Sequence, residues 1–219
     1  MLETIVVDPQ GTPTATVIWL HGLGASGHDF EPIIPMLELS PDLPIRFVFP
    51  HAPVRPVTIN GGMQMRAWYD IFEITIDRRV DLEALIESAD EVVDLLEIEV
   101  AGGMPSHRIV LAGFSQGGAV ALHAGLRYPN PLAGILALST YMPTFRTLEV
   151  EANPENRQIP ILMAHGTMDP TVPVSNGLSA RQELTRLGYD VQWHEYPMMH
   201  QVCEEEILDI GHWLTEVLA

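Results

Sequence analysis

Three residue types in one chain order, serine, then aspartate, then histidine, could do chemistry together in this sequence. Ser115 stands in Gly113-Phe114-Ser115-Gln116-Gly117, after the apolar run Ile109-Val110-Leu111-Ala112 and before a small-residue stretch that stops at Tyr128-Pro129. Gly-x-Ser-x-Gly between a strand and a helix is the pattern of a nucleophile elbow. A strand that reverses into a helix within a few residues brings two backbones together, so side chains at Gly113 and Gly117 would collide. The serine is left at the apex in a strained conformation with its hydroxyl exposed. At an average glycine usage of about 7%, the five residues alone recur by chance in roughly one chain of this length in twenty. The flanking strand and helix are what make Ser115 a nucleophile candidate.

A serine hydroxyl is a poor nucleophile at neutral pH and needs a base held by a third group. Behind an elbow the partners follow as an acid and then a histidine, each on a loop after a later strand. Asp169 lies in the turn Gly166-Thr167-Met168-Asp169-Pro170, directly after the apolar run Ile161 to His165. Asp190 and Glu195 sit at the start of a strand and inside it, and read as edge or surface carboxylates. Of nine histidines, His200 follows the last strand in a proline-bearing loop, where the base belongs. His165, at a strand end, is its rival. His28, His51 and His107 precede Ser115 and His123 lies on its helix, while His194 and His212 have ordinary structural readings. The spacing from His194 to His200 lacks the one-turn helical interval of a zinc motif, and Pro197 breaks any helix there. No metal site is expected.

Gly22-Leu23-Gly24-Ala25-Ser26-Gly27 is formally Gly-x-Gly-x-x-Gly after a strand. A dinucleotide site needs an acidic residue closing the next strand, but that strand ends Phe49-Pro50-His51. No cofactor is therefore expected. An oxyanion loop accounts better for the glycines. His21-Gly22-Leu23-Gly24 would present the Leu23 backbone N–H beside that of Gln116, and two donors aimed at one oxygen suit a tetrahedral intermediate.

These residues need elements to position them. β-like runs are predicted over residues 3–7 and 15–20, with a third at Arg46 to Phe49. A short or irregular helix starts near Asp29, broken by Pro32 and Pro35. Residues 53–76 are the least regular, with a hairpin turn at Asn60-Gly61-Gly62 and an aromatic arm from Trp68 to Phe72. Apolar residues at Leu82, Leu85, Ile86, Ala89, Val92, Val93 and Leu96 predict an amphipathic helix over Asp81 to Val100, ended by Gly102-Gly103. Strands follow at Ala133 to Ser139, Ile159 to His165 and Val191 to Tyr196, with helices at Ser179 to Leu187 and Glu204 to Leu218. The alternation predicts a mainly parallel sheet with helices on both faces.

His21-Gly22-Leu23-Gly24, Pro50 to Pro53, Pro56-Val57-Thr58 with Asn60-Gly61, Met65 to Ile71, Gly113 to Gly118, His165-Gly166 with Asp169, and His194 to Pro197 with His200 together resemble the carboxylesterase/acyl-protein thioesterase family of α/β hydrolases. The resemblance covers nearly the whole chain, in the family's order. It implies an α/β-hydrolase fold with a sheet of about seven strands and no large cap domain. It implies Ser115, Asp169 and His200 as a triad and Leu23 and Gln116 as oxyanion donors. Met199 departs from it, since the family usually has glycine directly before the histidine. The first expected activity is a serine carboxylesterase for short- to medium-chain esters; the alternative is a lysophospholipase or acyl-protein thioesterase with the same triad. The apolar residues expected to bind substrate are Leu23, Phe30, Met65, Trp68, Phe72 and Met199. Residues 118–158 carry too little apolar surface for a helical cap.

Composition bounds the rest. A chain of 219 residues, 47% hydrophobic and 18% charged, is expected to fold as one domain over 1–219. The formal charge, 11 − 29 = −18, argues against nucleic acid and anionic membrane surfaces as partners. One cysteine, Cys203, leaves no disulfide framework. No secretory signal is visible and no apolar run reaches membrane-span length, so a cytoplasmic monomer or weak homodimer acting on a small ester or lipid-like substrate is expected, without stable membrane insertion.

Overall fold

Four strands of this chain are buried along their whole length, which marks a parallel sheet covered on both faces. They are β2 (Ala15–Leu20), β7 (Gly134–Leu138), β8 (Ile161–Gly166) and, but for its last residue, β6 (Ile109–Phe114). The computed structural model describes residues 1–73 and 79–219. With β1 (Thr4–Val7), β3 (Ile45–Pro50) and β9 (Val191–Tyr196), these strands form a seven-stranded sheet in the order β1-β3-β2-β6-β7-β8-β9. β1 pairs antiparallel with β3; every other pair in the sheet is parallel. This is the expected α/β-hydrolase architecture, and among the described residues no large cap is evident.

The two-residue period of the strands splits the core in two. Ile109 and Leu111 of β6 face a cluster that holds Leu85, Val92 and Leu96 of α1 (Leu82–Ala101) and most of α2 (Gln116–Arg127). Val110 and Ala112 face the other side, against Ile207, Ile210 and Trp213 of α5 (Glu204–Val217) and the 3₁₀ turn Glu31–Leu37. Each such buried aliphatic side chain contributes about 1.5–3 kcal/mol. α1 starts where the Asp81 carboxylate accepts the Ala84 N–H at 3.0 Å. Small residues let α2 lie close to the sheet: a Cβ at Gly125 would meet the Ile135 side chain at 2.7 Å.

Two stretches differ from expectation, and a third takes the hairpin form expected at Asn60-Gly61-Gly62. The helix expected at Ser179 is α4 (Val174–Arg186), starting directly after Pro173. Val174, Ser175, Asn176 and Gly177 are weak helix formers, and packing decides their state: a Cβ on Gly177 would meet His165 Nδ1 at 2.5 Å and Trp193 at 2.9 Å. The tract after Thr144 contains a further short helix, α3 (Phe145–Glu151), anchored by the buried Leu148. The irregular stretch resolves into a hairpin, β4 (Val54–Val57) and β5 (Met63–Arg66), turning at Gly61 and Gly62 with φ of 67° and 78°. The end of that stretch, 74–76, lies outside the described residues.

Candidate active site

β6 ends at Phe114 and α2 begins at Gln116, so the whole reversal falls on Ser115. It has φ 56° and ψ −117°, a state costing on the order of 1–3 kcal/mol that persists only where its surroundings over-determine it. Its N–H donates to Leu138 O at 2.9 Å, and its carbonyl accepts from Ala119 N–H at 3.2 Å and Thr140 Oγ1 at 2.6 Å. The two elbow glycines are required by close approach. A Cβ on Gly113 would strike the Gly117 carbonyl, and one on Gly117 would strike the carbonyls of Leu20 and His21.

β8 and β9 end side by side and carry the other two residues. Asp169, buried in the turn after β8, accepts the Thr171 and Val172 N–H groups on Oδ1, each at 2.8 Å. Its Oδ2 accepts from His200 Nδ1 at 2.6 Å, and His200 Nε2 lies 3.0 Å from Ser115 Oγ. Burial alone would raise the Asp169 pKa, but His200 and the two backbone donors outweigh it and hold the carboxylate below its usual range. Thr167 N–H to Tyr196 O at 2.9 Å and Met168 N–H to Met198 O at 3.1 Å clasp the acid loop to the histidine loop. The His200 ring rests against Phe114, centroids 4.7 Å apart. Ser115, Asp169 and His200 thus form one hydrogen-bonded line.

The rival His165 stands behind the acid instead of beside the serine. Its Nε2–H donates to Val172 O at 2.8 Å, 3.7 Å from Asp169 Oδ2, and burial lowers its pKa. Its role is to hold the loop that supplies two donors to Asp169.

Leu23 and Gln116 both line the groove at Ser115. As the first residue of α2, Gln116 carries an N–H that the helix ladder leaves without a carbonyl. The Leu23 N–H belongs to the Gly22–Leu23 peptide, whose carbonyl accepts from His21 Nδ1 at 2.7 Å. His21 Nε2 accepts the Ala52 N–H at 3.0 Å, which fixes this tautomer, and burial first of all pulls the His21 pKa down to about 4. It is a neutral donor at physiological pH. Sequence reasoning placed His21 in the oxyanion loop without a role for its ring and missed Thr140, because both side chains act through main-chain atoms of other residues.

The groove has a volume of about 470 Å³, with apolar walls from Leu23, Phe30, Ile59, Ile71, Phe114 and Val202. Of the six residues expected to bind substrate, Leu23 and Phe30 line it; the other four are elsewhere. Trp68 is wholly buried, its indole N–H donating to the His21 carbonyl at 2.8 Å. Met65 accepts from Asn60 Nδ2 at 3.2 Å on the hairpin. Phe72 faces a second groove, of about 650 Å³, with Tyr141, Met142 and Phe145. Met199 is 56% exposed, its backbone clasped against Gly166 while its side chain points outward to solvent. Ile59, Ile71 and Val202 take their place. Among the described residues no helix is long and apolar enough to cross a membrane.

Such a line can move a proton from Ser115 Oγ to His200 while Asp169 fixes the imidazole, the geometry of acyl transfer. A model of the phospholipase/carboxylesterase family matches residues 2–218. An acyl-protein thioesterase 1 of Mycosarcoma maydis is 38% identical over 100% of this chain and 98% of its own length. One of Neurospora crassa is 42% identical over 98% and 91%. The crystal structure of Zea mays acyl-protein thioesterase 2 superposes with a TM-score of 0.87 at 33% identity, covering all of both chains. With that fold and match along nearly its whole length, the chain belongs to the phospholipase/carboxylesterase family of α/β hydrolases and is a serine hydrolase.

Proposed function

We propose that this enzyme is an acyl-protein thioesterase that releases fatty acyl groups from protein cysteines, with Ser115 as nucleophile, His200 as base and Asp169 as its orienting acid. The residues alone put a carboxylesterase first; the relatives' thioesterase names favour the alternative. The observation that carries the reading is the apolar groove beside Ser115, open to a chain presented by a bulky partner. Ser115 Oγ attacks the thioester carbonyl carbon as its proton passes to His200 Nε2. The developing oxyanion is held by the N–H groups of Leu23 and Gln116. Collapse expels the cysteine sulfur, which takes the proton from His200. Water, deprotonated by the same histidine, then splits the acyl-serine ester and releases the fatty acid.

A fluorophosphonate should add once, on Ser115, and Ser115→Ala should fold normally yet lose nearly all turnover. On matched ester and thioester series, kcat/KM should climb by about fourfold per methylene, the equivalent of ~0.8 kcal/mol of apolar burial, until the groove is filled. Long-chain S-acylated peptides should be cleaved. Rapid turnover of acetyl and butyryl esters with no cleavage of long-chain thioesters would return the enzyme to the carboxylesterases; labelling at another residue would sink the triad itself.

A further inference from the structure

The two oxyanion donors come from distant parts of the chain, Leu23 after β2 and Gln116 at the head of α2. Their spacing and aim have to be set by something that bonds to both segments. Trp68 does. Its main-chain N–H donates to the Gln116 side-chain Oε1 at 3.1 Å, and its indole Nε1–H donates to the His21 carbonyl at 2.8 Å. Gln116 answers with Nε2–H to Tyr69 O at 2.8 Å. The Ser88 hydroxyl, from α1, donates to the Trp68 carbonyl. The His21 ring stacks obliquely on the indole, centroids 5.3 Å apart, and donates Nδ1–H to Gly22 O. That last bond matters because C=O and N–H of one trans peptide point in opposite directions. Fixing the Gly22 carbonyl therefore aims the Leu23 N–H.

We propose that Trp68 is a positioning residue of the oxyanion hole, clamping the His21–Leu23 loop to the start of α2 so that both N–H groups meet one oxygen. It does not line the groove and touches no substrate. The inference rests on the reading of Leu23 and Gln116 as the oxyanion donors. A buried tryptophan serving only as core would not need its indole N–H at that carbonyl. Trp19 supplies the contrast: equally buried, its Nε1 has no hydrogen-bond partner among the described residues.

The test is Trp68→Phe, which keeps most of the packing and removes the indole donor, with Trp19→Phe as control. Misalignment of a catalytic group by about 1 Å costs on the order of a hundredfold, so kcat should fall by roughly tenfold to a hundredfold. KM should stay nearly constant, and the loss should be the same for acetyl and long-chain substrates. Affinity for a trifluoromethyl ketone, whose adduct mimics the oxyanion, should fall in step with kcat/KM. Trp19→Phe should leave kcat alone. A KM that worsens with acyl length at unchanged kcat would make Trp68 a groove wall and overturn the inference. So would an unchanged kcat, or a slower enzyme that binds the ketone as tightly as before. Should Trp68→Phe fail to fold, Gln116→Met decides: it keeps its own N–H but loses both side-chain bonds to the 68–69 segment, and an unaltered kcat would be fatal. The underlying reading fails separately, if the wild-type enzyme binds the trifluoromethyl ketone no better than the matching methyl ketone.

Discussion

Ser115 keeps its backbone at φ 56° only because atoms outside the elbow hold it, and one of those is the Thr140 hydroxyl at 2.6 Å from its carbonyl. Thr140 is buried, and its side chain packs so close to α2 that a Cβ on Gly118 would meet it at 2.7 Å. Thr140→Val keeps the shape and removes the donor. A buried hydrogen bond lost in this way costs about 1–2 kcal/mol. The expected outcome is a lowered melting temperature together with a several-fold lower kcat, both restored in Thr140→Ser, which keeps the hydroxyl. Unchanged melting and turnover in Thr140→Val would show that the elbow holds its strain unaided. At the acid, the same logic is electrostatic: Asp169 stays ionised because donors surround it, despite burial that pulls the other way.

Among the elements, α5 carries an unusual group in its first turn. A carboxylate is welcome at a helix N-terminus, yet Glu206 is fully buried, and neither oxygen makes a hydrogen bond of normal geometry among the described residues. Burial, helped by Asp209, pushes its pKa up to about 8 against the pull of the Cys203 N–H. In the unfolded chain the same group titrates near its ordinary value of 4.5. Between those two values the folded protein holds a proton that the unfolded chain has lost. Its contribution is therefore greatest below about 4.5, falls as pH rises, and is gone above about 8. Glu206→Gln should remove this slope, so that the mutant gains on the wild type by on the order of 2–4 kcal/mol between pH 5 and pH 8. Urea midpoints of both proteins at the two pH values measure it; parallel slopes would mean that Glu206 ionises freely in the folded state. Tyr196 shares this corner, its hydroxyl donating to Asp209 at 2.7 Å, with His194 Nδ1 at 3.3 Å from the same carboxylate.

For the molecule as a whole, the charge of −18 is the dominant long-range term, and all eleven cationic residues are arginine. Those arginines form pairs that are mostly at the surface, such as Arg46 with Asp8 at 2.7 Å and Arg186 with Glu183 at 2.9 Å. Exposed pairs contribute at most about 1 kcal/mol each, too little to offset repulsion summed over so many carboxylates. Raising ionic strength from ~0.01 to ~0.15 M shortens the screening length from about 30 Å to about 8 Å. Melting temperature should rise over that range and then level off. A fall with added salt would mean that the ion pairs outweigh the repulsion.

What the sequence determined by itself was whatever a few contiguous residues encode. Two glycines around a serine specify the elbow because neighbouring backbones leave no room for a Cβ. Uninterrupted apolar runs specify parallel strands because both faces are covered, and a 3.6-residue stripe specifies α1. The order serine, acid, histidine left three of nine histidines after Asp169, and of these only His200 stands in the loop after the last strand. Tertiary structure decided the contacts that span long stretches of chain. His200 meets Ser115 across 85 residues and Trp68 meets His21 across 47. His165 ends a strand just ahead of Asp169, and it is the folded loops that set it behind the acid and turn His200 toward Ser115. Apolar character alone made Trp68, Met65, Phe72 and Met199 look like groove walls. Their actual places follow from partners that the sequence separates from them: an acceptor for an indole N–H, an amide beside a thioether, another groove, and open solvent. A side chain's direction is set by what it must satisfy when buried, and that is known only once the chain has folded.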